Sequence, residues 1–486
     1  MKKRIWSVTN YGISIYPLCL LGDVLYYDFH KLTGKNYFPG IMEFKDGVNR
    51  VAVSPASRDV IANIIIPKIV NDKNWVKIII QKIYATSDRL LAQTGEVFKM
   101  DLSKKTNKQL LGFYQQYNQK YKTMYLYGWL ANAAEGETNL FSKKLEQVLL
   151  TKLARIGKTS KIGEYFSILV SLPKDSDRDK EQKAFLRLLI KAKDQKNLNQ
   201  IFFAHQARYC WLQYDYNGPA LPISYFVDQA KSLLKNKINP TQELKKIVES
   251  RQALIKKQRQ FEKELGLTPS EKYLFWLARQ FSFIKNYRKD VLYKSYYQND
   301  RLLQEIGRRL NLSINQVKYI LPFEMAAALL DQKYNPALLN QRSKYSVVVF
   351  GRQQLKVLVG AAAKKIIRQE IRLKKIKNQP SELAGQVAYS GHAEGIVKIV
   401  NLVQDLKDFK LGNILVSEKT NPNLIPAMKK AAAIITDAGG LTCHAAIVSR
   451  ELKKPCIVGT KIATQVFKDG DQVKVDGGRG IITKLS

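Results

Sequence analysis

One imidazole in this chain sits where covalent chemistry could be done. The stretch is Thr436-Asp437-Ala438-Gly439-Gly440-Leu441-Thr442-Cys443-His444-Ala445-Ala446-Ile447-Val448-Ser449-Arg450. A β-type run, Ala433 to Ile435, enters a Gly-Gly turn, and a helix is predicted to begin near Thr442 with apolar Ala445, Ile447 and Val448 behind it. His444 thus falls in the first turn of a helix. Neutral imidazole is a nucleophile near pH 7. Once phosphorylated it would carry about two negative charges to a helix N-terminus, where unpaired N–H groups and the dipole favour an anion. Gly439 and Gly440 let the backbone and a donor come close, and Thr442 can cap the helix and offer a hydroxyl to the phosphoryl oxygens. A structural histidine buried at a strand–helix junction would show the same local pattern.

The elements around this turn form a small α/β domain. Short β-type runs fall at 396–400, 414–416, 433–435, 456–458, 473–475 and 481–482, with Asp476-Gly477-Gly478 as a hairpin turn. Helical insertions are expected at 422–430 and 442–452. Before it, the polar stretch 374–381 reads as a linker.

The rest of the chain has a different period. Residues 1–70 are mixed, with short strands around Asp46-Gly47. From 71 to 375 helical signals dominate. Asn239-Pro240 starts one helix and Gly266 ends it; Thr268-Pro269-Ser270-Glu271 and Ser313-Ile314-Asn315-Gln316 are capping boxes for others. The expected architecture is therefore multidomain: a mixed segment 1–70, a helical domain 71–375, a linker 376–383 and an α/β domain 384–486.

Composition narrows the setting. Hydrophobic residues make up 45% of the 486 and charged residues 25%, the balance of a folded protein. No apolar run is long enough for a membrane span, and Met1-Lys2-Lys3-Arg4 is not followed by a signal-peptide pattern, so a cytoplasmic protein is expected. Four cysteines without a CxxC pair and four histidines give neither a disulfide framework nor a dedicated metal site. The net charge is +39, and residues 384–486 hold only +5 of it. The first 383 residues carry 66 Lys and Arg against 32 Asp and Glu, a field that attracts nucleic acid or other polyanions unless the lysines merely solvate helix faces.

The segment from about 383 to 486 resembles the swivelling phosphohistidine domain of the phosphoenolpyruvate-utilising enzymes, the family of phosphoenolpyruvate synthase, pyruvate phosphate dikinase and rifampin phosphotransferase. The motif falls on Thr436, Gly439, Gly440, Thr442, Cys443, His444, Ala445, Ala446, Arg450, Leu452, Pro455, Val458 and Gly459, with Gly385, Gly395, Val397, Asn421-Pro422 and Pro426 upstream. The resemblance implies a swivelling β/β/α fold with His444 as phosphoryl acceptor and Thr442, Cys443, Gly439, Gly440 and Arg450 about it. More loosely, Tyr209 to Pro219 and Arg288-Lys289 are similar to the helical region preceding this domain in synthase-like proteins.

No stretch resembles the ATP-grasp domain that charges such a histidine or the barrel that binds phosphoenolpyruvate. The expectation is a phosphotransferase component without a cofactor of its own. Mg-ATP or phosphoenolpyruvate would reach it through an ATP-grasp or phosphoenolpyruvate-binding protein in trans, and a small molecule would be the acceptor. Two other readings are a basic helical binding protein with the histidine domain as a phosphorylation-sensitive switch, and a relative that has kept the fold without the reaction.

Overall fold

In the computed structural model, described for residues 5–192, 197–351, 354–371, 380–420, 424–441 and 443–485, the chain is mostly helical up to residue 344 and gathers into two compact units. The first takes in Met1–Thr138, Ser176–Leu244 and Ile284–Lys374; the second Asn139–Asp175, Lys245–Phe283 and Lys375–Ser486. The second unit therefore joins two helical stretches to the C-terminal α/β segment, where the sequence pattern suggested a cut at the linker. Positions 376–379 of that linker lie outside the described residues.

Unit one holds a five-stranded antiparallel sheet of order β1-β3-β2-β4-β5. Its strands are β1 (Ile5–Tyr11), β2 (Ile41–Lys45), β3 (Val48–Val53), β4 (Tyr345–Phe350) and β5 (Leu355–Val359). The β2–β3 hairpin turns through Asp46 and Gly47, both at positive φ. Strands β4 and β5 fall inside the stretch expected to be helical. The run Tyr-Ser-Val-Val-Val-Phe is rich in β-branched and aromatic side chains, and pairing with β2, some 300 residues earlier, overrides the helical surroundings. The helices Pro336–Lys344 and Gly360–Glu370 pack against the sheet, and the long helices Lys73–Lys99 and Asn107–Gly128 pack on each other, the latter with the Thr106–Gln109 capping box.

The helix expected after Asn239 runs Pro240–Glu264, and Gly266 stands at φ 56°. Thr268 and Glu271 cap the next helix reciprocally, at 3.2 and 2.7 Å. That helix is 42 residues long, Pro269–Leu310.

Unit two contains an eight-stranded sheet of order β6-β13-β12-β8-β9-β10-β11-β7. The strands are β6 (Glu382–Ala384), β7 (Gln386–Tyr389), β8 (His392–Ile399), β9 (Ile414–Ser417), β10 (Ala433–Thr436), β11 (Cys456–Val458), β12 (Gln472–Asp476) and β13 (Ile481–Lys484). All six expected strands are present; β6 and β7 are additional. Strands β8, β9, β10 and β11 run parallel, and the rest pair antiparallel. Val397, Ile414, Val416, Ile435, Ile457, Phe467 and Val475 form the buried core against one face. Since β9 and β10 are buried on both faces, every residue of each is buried, as parallel strands demand. The loops leaving their C-terminal ends lie side by side, the usual place for a site in an open parallel sheet.

Candidate functional site

The site begins where β10 ends. Thr436 Oγ1 donates to Ala438 O at 2.9 Å, which curls the chain as it leaves the sheet. The backbone N–H groups of Asp437 and Ala438 donate to Ser417 O and Glu418 O, at 3.0 and 2.8 Å, so this loop is sewn to the one after β9. The Asp437 carboxylate accepts from Thr460 Oγ1 at 3.0 Å, from Thr464 N at 3.3 Å and from Thr464 Oγ1. Burial pushes its pKa up, and these donors oppose the rise.

Gly439 then adopts φ 112°, and a Cβ there would stand 2.9 Å from the Cβ of Cys443. At Gly440 a Cβ would meet the side chain of Asn139, whose Oδ1 lies 2.8 Å from that position. Both glycines are therefore required, for different reasons: the first for its backbone, the second for a close neighbour.

The helix His444–Leu452 follows. Its N-cap is Cys443, at φ −77° and ψ 169°, with Sγ accepting from Ala446 N at 3.5 Å. The cap expected at Thr442 thus falls one residue later, on a thiol; Thr442 lies outside the described residues. His444 is the first residue of the helix and half-buried. Its Nδ1 lies 2.8 Å from Oγ1 of Thr420, itself buried in the loop after β9.

Arg450 is two turns further along. Its Nε donates to Ala388 O at 3.2 Å, tying the helix to β7, and burial lowers its pKa to about 10. The structure brings Gly439, Gly440 and Cys443 to the N-terminus beside His444, whereas Arg450 anchors the helix elsewhere. Thr420, Asp437 and Asn139 escaped the sequence reading as site neighbours. Thr420 and Asp437 follow adjacent parallel strands, which is the only signal that could have linked them. Asn139 carries no local signal at all.

Among the described residues no cluster of three or more His, Cys, Asp or Glu could hold a metal ion, and no helix is long and apolar enough to cross a membrane.

The parallel strands of a mixed sheet thus deliver a histidine, past a Gly-Gly turn, to a helix N-terminus. Residues 409–480 match the family described as PEP-utilising enzyme, mobile domain. The chain is 54% identical over 100 residues to a probable phosphoenolpyruvate synthase of Archaeoglobus fulgidus, covering 21% of this chain and 13% of that protein. It is 52% identical over 102 residues to the phosphoenolpyruvate synthase of Pyrococcus furiosus, covering 21% of this chain and 12% of that one. An uncharacterized phosphotransferase of Bacillus subtilis, YvkC, is 42% identical over 110 residues, or 23% of this chain and 13% of the other. The matched region thus spans about an eighth of the length of these relatives.

Proposed function

We propose that this chain is a phosphotransfer component that carries a phosphoryl group on Nε2 of His444. The observation that supports it most is the Thr420–His444 contact at the start of a helix. With Nδ1 protonated and donating to Thr420 Oγ1, the lone pair of the ring lies on Nε2, the atom left to attack phosphorus. The helix N-terminus then faces the phosphoryl charge that forms there. As the P–O bond of the donor breaks and the N–P bond forms, the donor leaves with the electron pair.

The donor in this reading is Mg-ATP or phosphoenolpyruvate held by a partner, an ATP-grasp or a phosphoenolpyruvate-binding protein. The acceptor is a small molecule. The +34 charge on the first 383 residues favours anionic ligands in general and leaves room for a second role in binding nucleic acid.

The test is phosphate incorporation. Incubated with ATP alone, the chain should take no label. With a cognate ATP-grasp partner and ATP, or a barrel partner and phosphoenolpyruvate, it should gain one phosphate that is acid-labile and base-stable. His444→Ala should abolish the label and His392→Ala should retain it. Label persisting in His444→Ala would refute the assignment.

A further inference from the structure

Within unit one, the neighbouring helices Asp177–Lys191 and Leu198–Tyr209 line an open groove of about 290 Å³. Leu188 and Ile201 give it an apolar floor, with His205 beside them. Arg187, Lys191 and Arg208 stand on its rim, exposed. The spacing explains the arrangement. Leu188 and Lys191 lie three apart on one helix, and Ile201, His205 and Arg208 at intervals of four and three on the other, so each helix turns one stripe to the groove.

His205 is placed for more than packing. Its side chain is 2% exposed, and Nε2 lies 2.8 Å from Oε1 of Glu181. The rings of Phe202, Tyr209 and Phe226 hold it at 4.8 to 5.8 Å. A carboxylate on one nitrogen and a cage of aromatics fix the ring orientation. Nδ1 has no hydrogen-bond partner among the described residues. The three rim cations likewise make no ion pair with any described residue; Arg208 only lies over the ring of Tyr209, at 5.4 Å. Three cations without an ion pair among the described residues, beside an apolar surface and an oriented imidazole, match a ligand that has an apolar body, an anionic group and a hydroxyl.

We propose that this groove is a binding site for a small apolar anion bearing a hydroxyl, held by Arg187, Lys191 and Arg208 through its charge and by His205 Nδ1 through its hydroxyl. The proposal rests on the phosphotransfer reading only in naming that ligand as the acceptor; the site itself stands on the groove.

The chain has only four histidines, which makes imidazole NMR of the full-length, histidine-labelled protein a direct readout. The probe is 4-(hydroxymethyl)benzoate, which has the apolar body, the anion and the hydroxyl, with benzyl alcohol as the uncharged control, added to the His444→Ala chain so that the other candidate anion site is silent. The His205 signals should move saturably with 4-(hydroxymethyl)benzoate, and those of His30 and His392 should not. Benzyl alcohol at equal concentration should leave His205 in place. The double variant Arg187→Gln, Arg208→Gln, altered only at exposed positions, should bind about tenfold more weakly. Static His205 signals, an equal response to benzyl alcohol, or unchanged affinity in the double variant would each overturn the proposal. Phosphate incorporation at His444 is measured separately. Binding at His205 without any label on His444 would remove the carrier reading and leave the groove; label without binding would remove the groove alone.

Discussion

Oγ1 of Thr420 stands 2.8 Å from Nδ1 of His444, so a residue from the loop after β9 holds the ring that the loop after β10 presents. In the proposed reaction Nδ1–H donates to Thr420 Oγ1, which leaves the ring's lone pair on Nε2. Thr420→Val keeps the shape and removes the hydroxyl. We expect phosphate incorporation at His444 to slow about tenfold, the worth of one lost hydrogen bond to a reacting group. Thr420→Ser should restore most of the rate. Melting temperature should differ little between the two variants. An unchanged rate in Thr420→Val would show that the ring is oriented by something else.

Gly440 and Asn139 make a second close pair. A methyl at 440 would stand 2.8 to 3.2 Å from the carboxamide of Asn139. Asn139 itself sits in the left-handed region at φ 56°. Gly440→Ala should therefore destabilise unit two by about 1–2 kcal/mol. Adding Asn139→Gly should recover much of that loss, because glycine both vacates the space and accepts the positive φ. Gly439→Ala should be worse, since its obstruction includes the Cβ of Cys443 and its φ is 112°. Denaturant unfolding of the single and double variants checks the coupling; strictly additive effects would mean that the two residues do not meet.

How far the sequence reaches is clearest at these residues. Local chemistry was readable wherever the signal was local. Asn239-Pro240 and Gly266 bracket a real helix, and the Thr268 and Ser313 capping boxes form as written. The strand, Gly-Gly turn and helix around His444 follow from neighbours in sequence. What could not be read depends on distant pairing. Strands β4 and β5 exist because β2 supplies their partner. Thr420 meets His444 only because β9 and β10 are adjacent and parallel. Asn139 reaches Gly440 from more than 300 residues away. The identity of the cap was missed for another reason: a hydroxyl is the stronger N-cap, and the thiol one residue on adopts the extended backbone instead.

Asp290 gives a pH-dependent prediction for unit one. Removal of its carboxyl from water, with the Asp177 charge adding to it, raises its pKa to about 7, against the opposing pull of Arg178, Lys289 and Lys180. The group is protonated in the folded chain over a range where the unfolded chain has lost the proton. Its contribution to stability is therefore fully present below about pH 4, the ordinary carboxyl value, and is lost as pH rises to about 7. Over that window the slope from this group reaches at most about 1.4 kcal/mol per pH unit. Asp290→Asn should flatten the stability curve between pH 4 and 7 relative to the parent chain, and should be the more stable of the two above pH 7. Parallel curves for the two proteins would show that Asp290 does not titrate in this range.

Cys443 decides between two nucleophiles on one turn. Its thiol neighbours His444, yet its Sγ is engaged as the helix N-cap, accepting from Ala446 N at 3.5 Å. Cys443→Ser substitutes a better acceptor at the same backbone angles, and should hold or raise stability by a few tenths of a kcal/mol. Cys443→Ala removes the cap and should cost about 1 kcal/mol. Both variants should still accept one acid-labile, base-stable phosphate when a donor partner is supplied, because the imidazole is untouched. The alanine variant should be charged more slowly, as a frayed first turn presents fewer ordered N–H groups to the phosphoryl oxygens. Loss of the label in both variants, with His444 intact and the fold preserved by thermal unfolding, would move the acceptor role to the thiol.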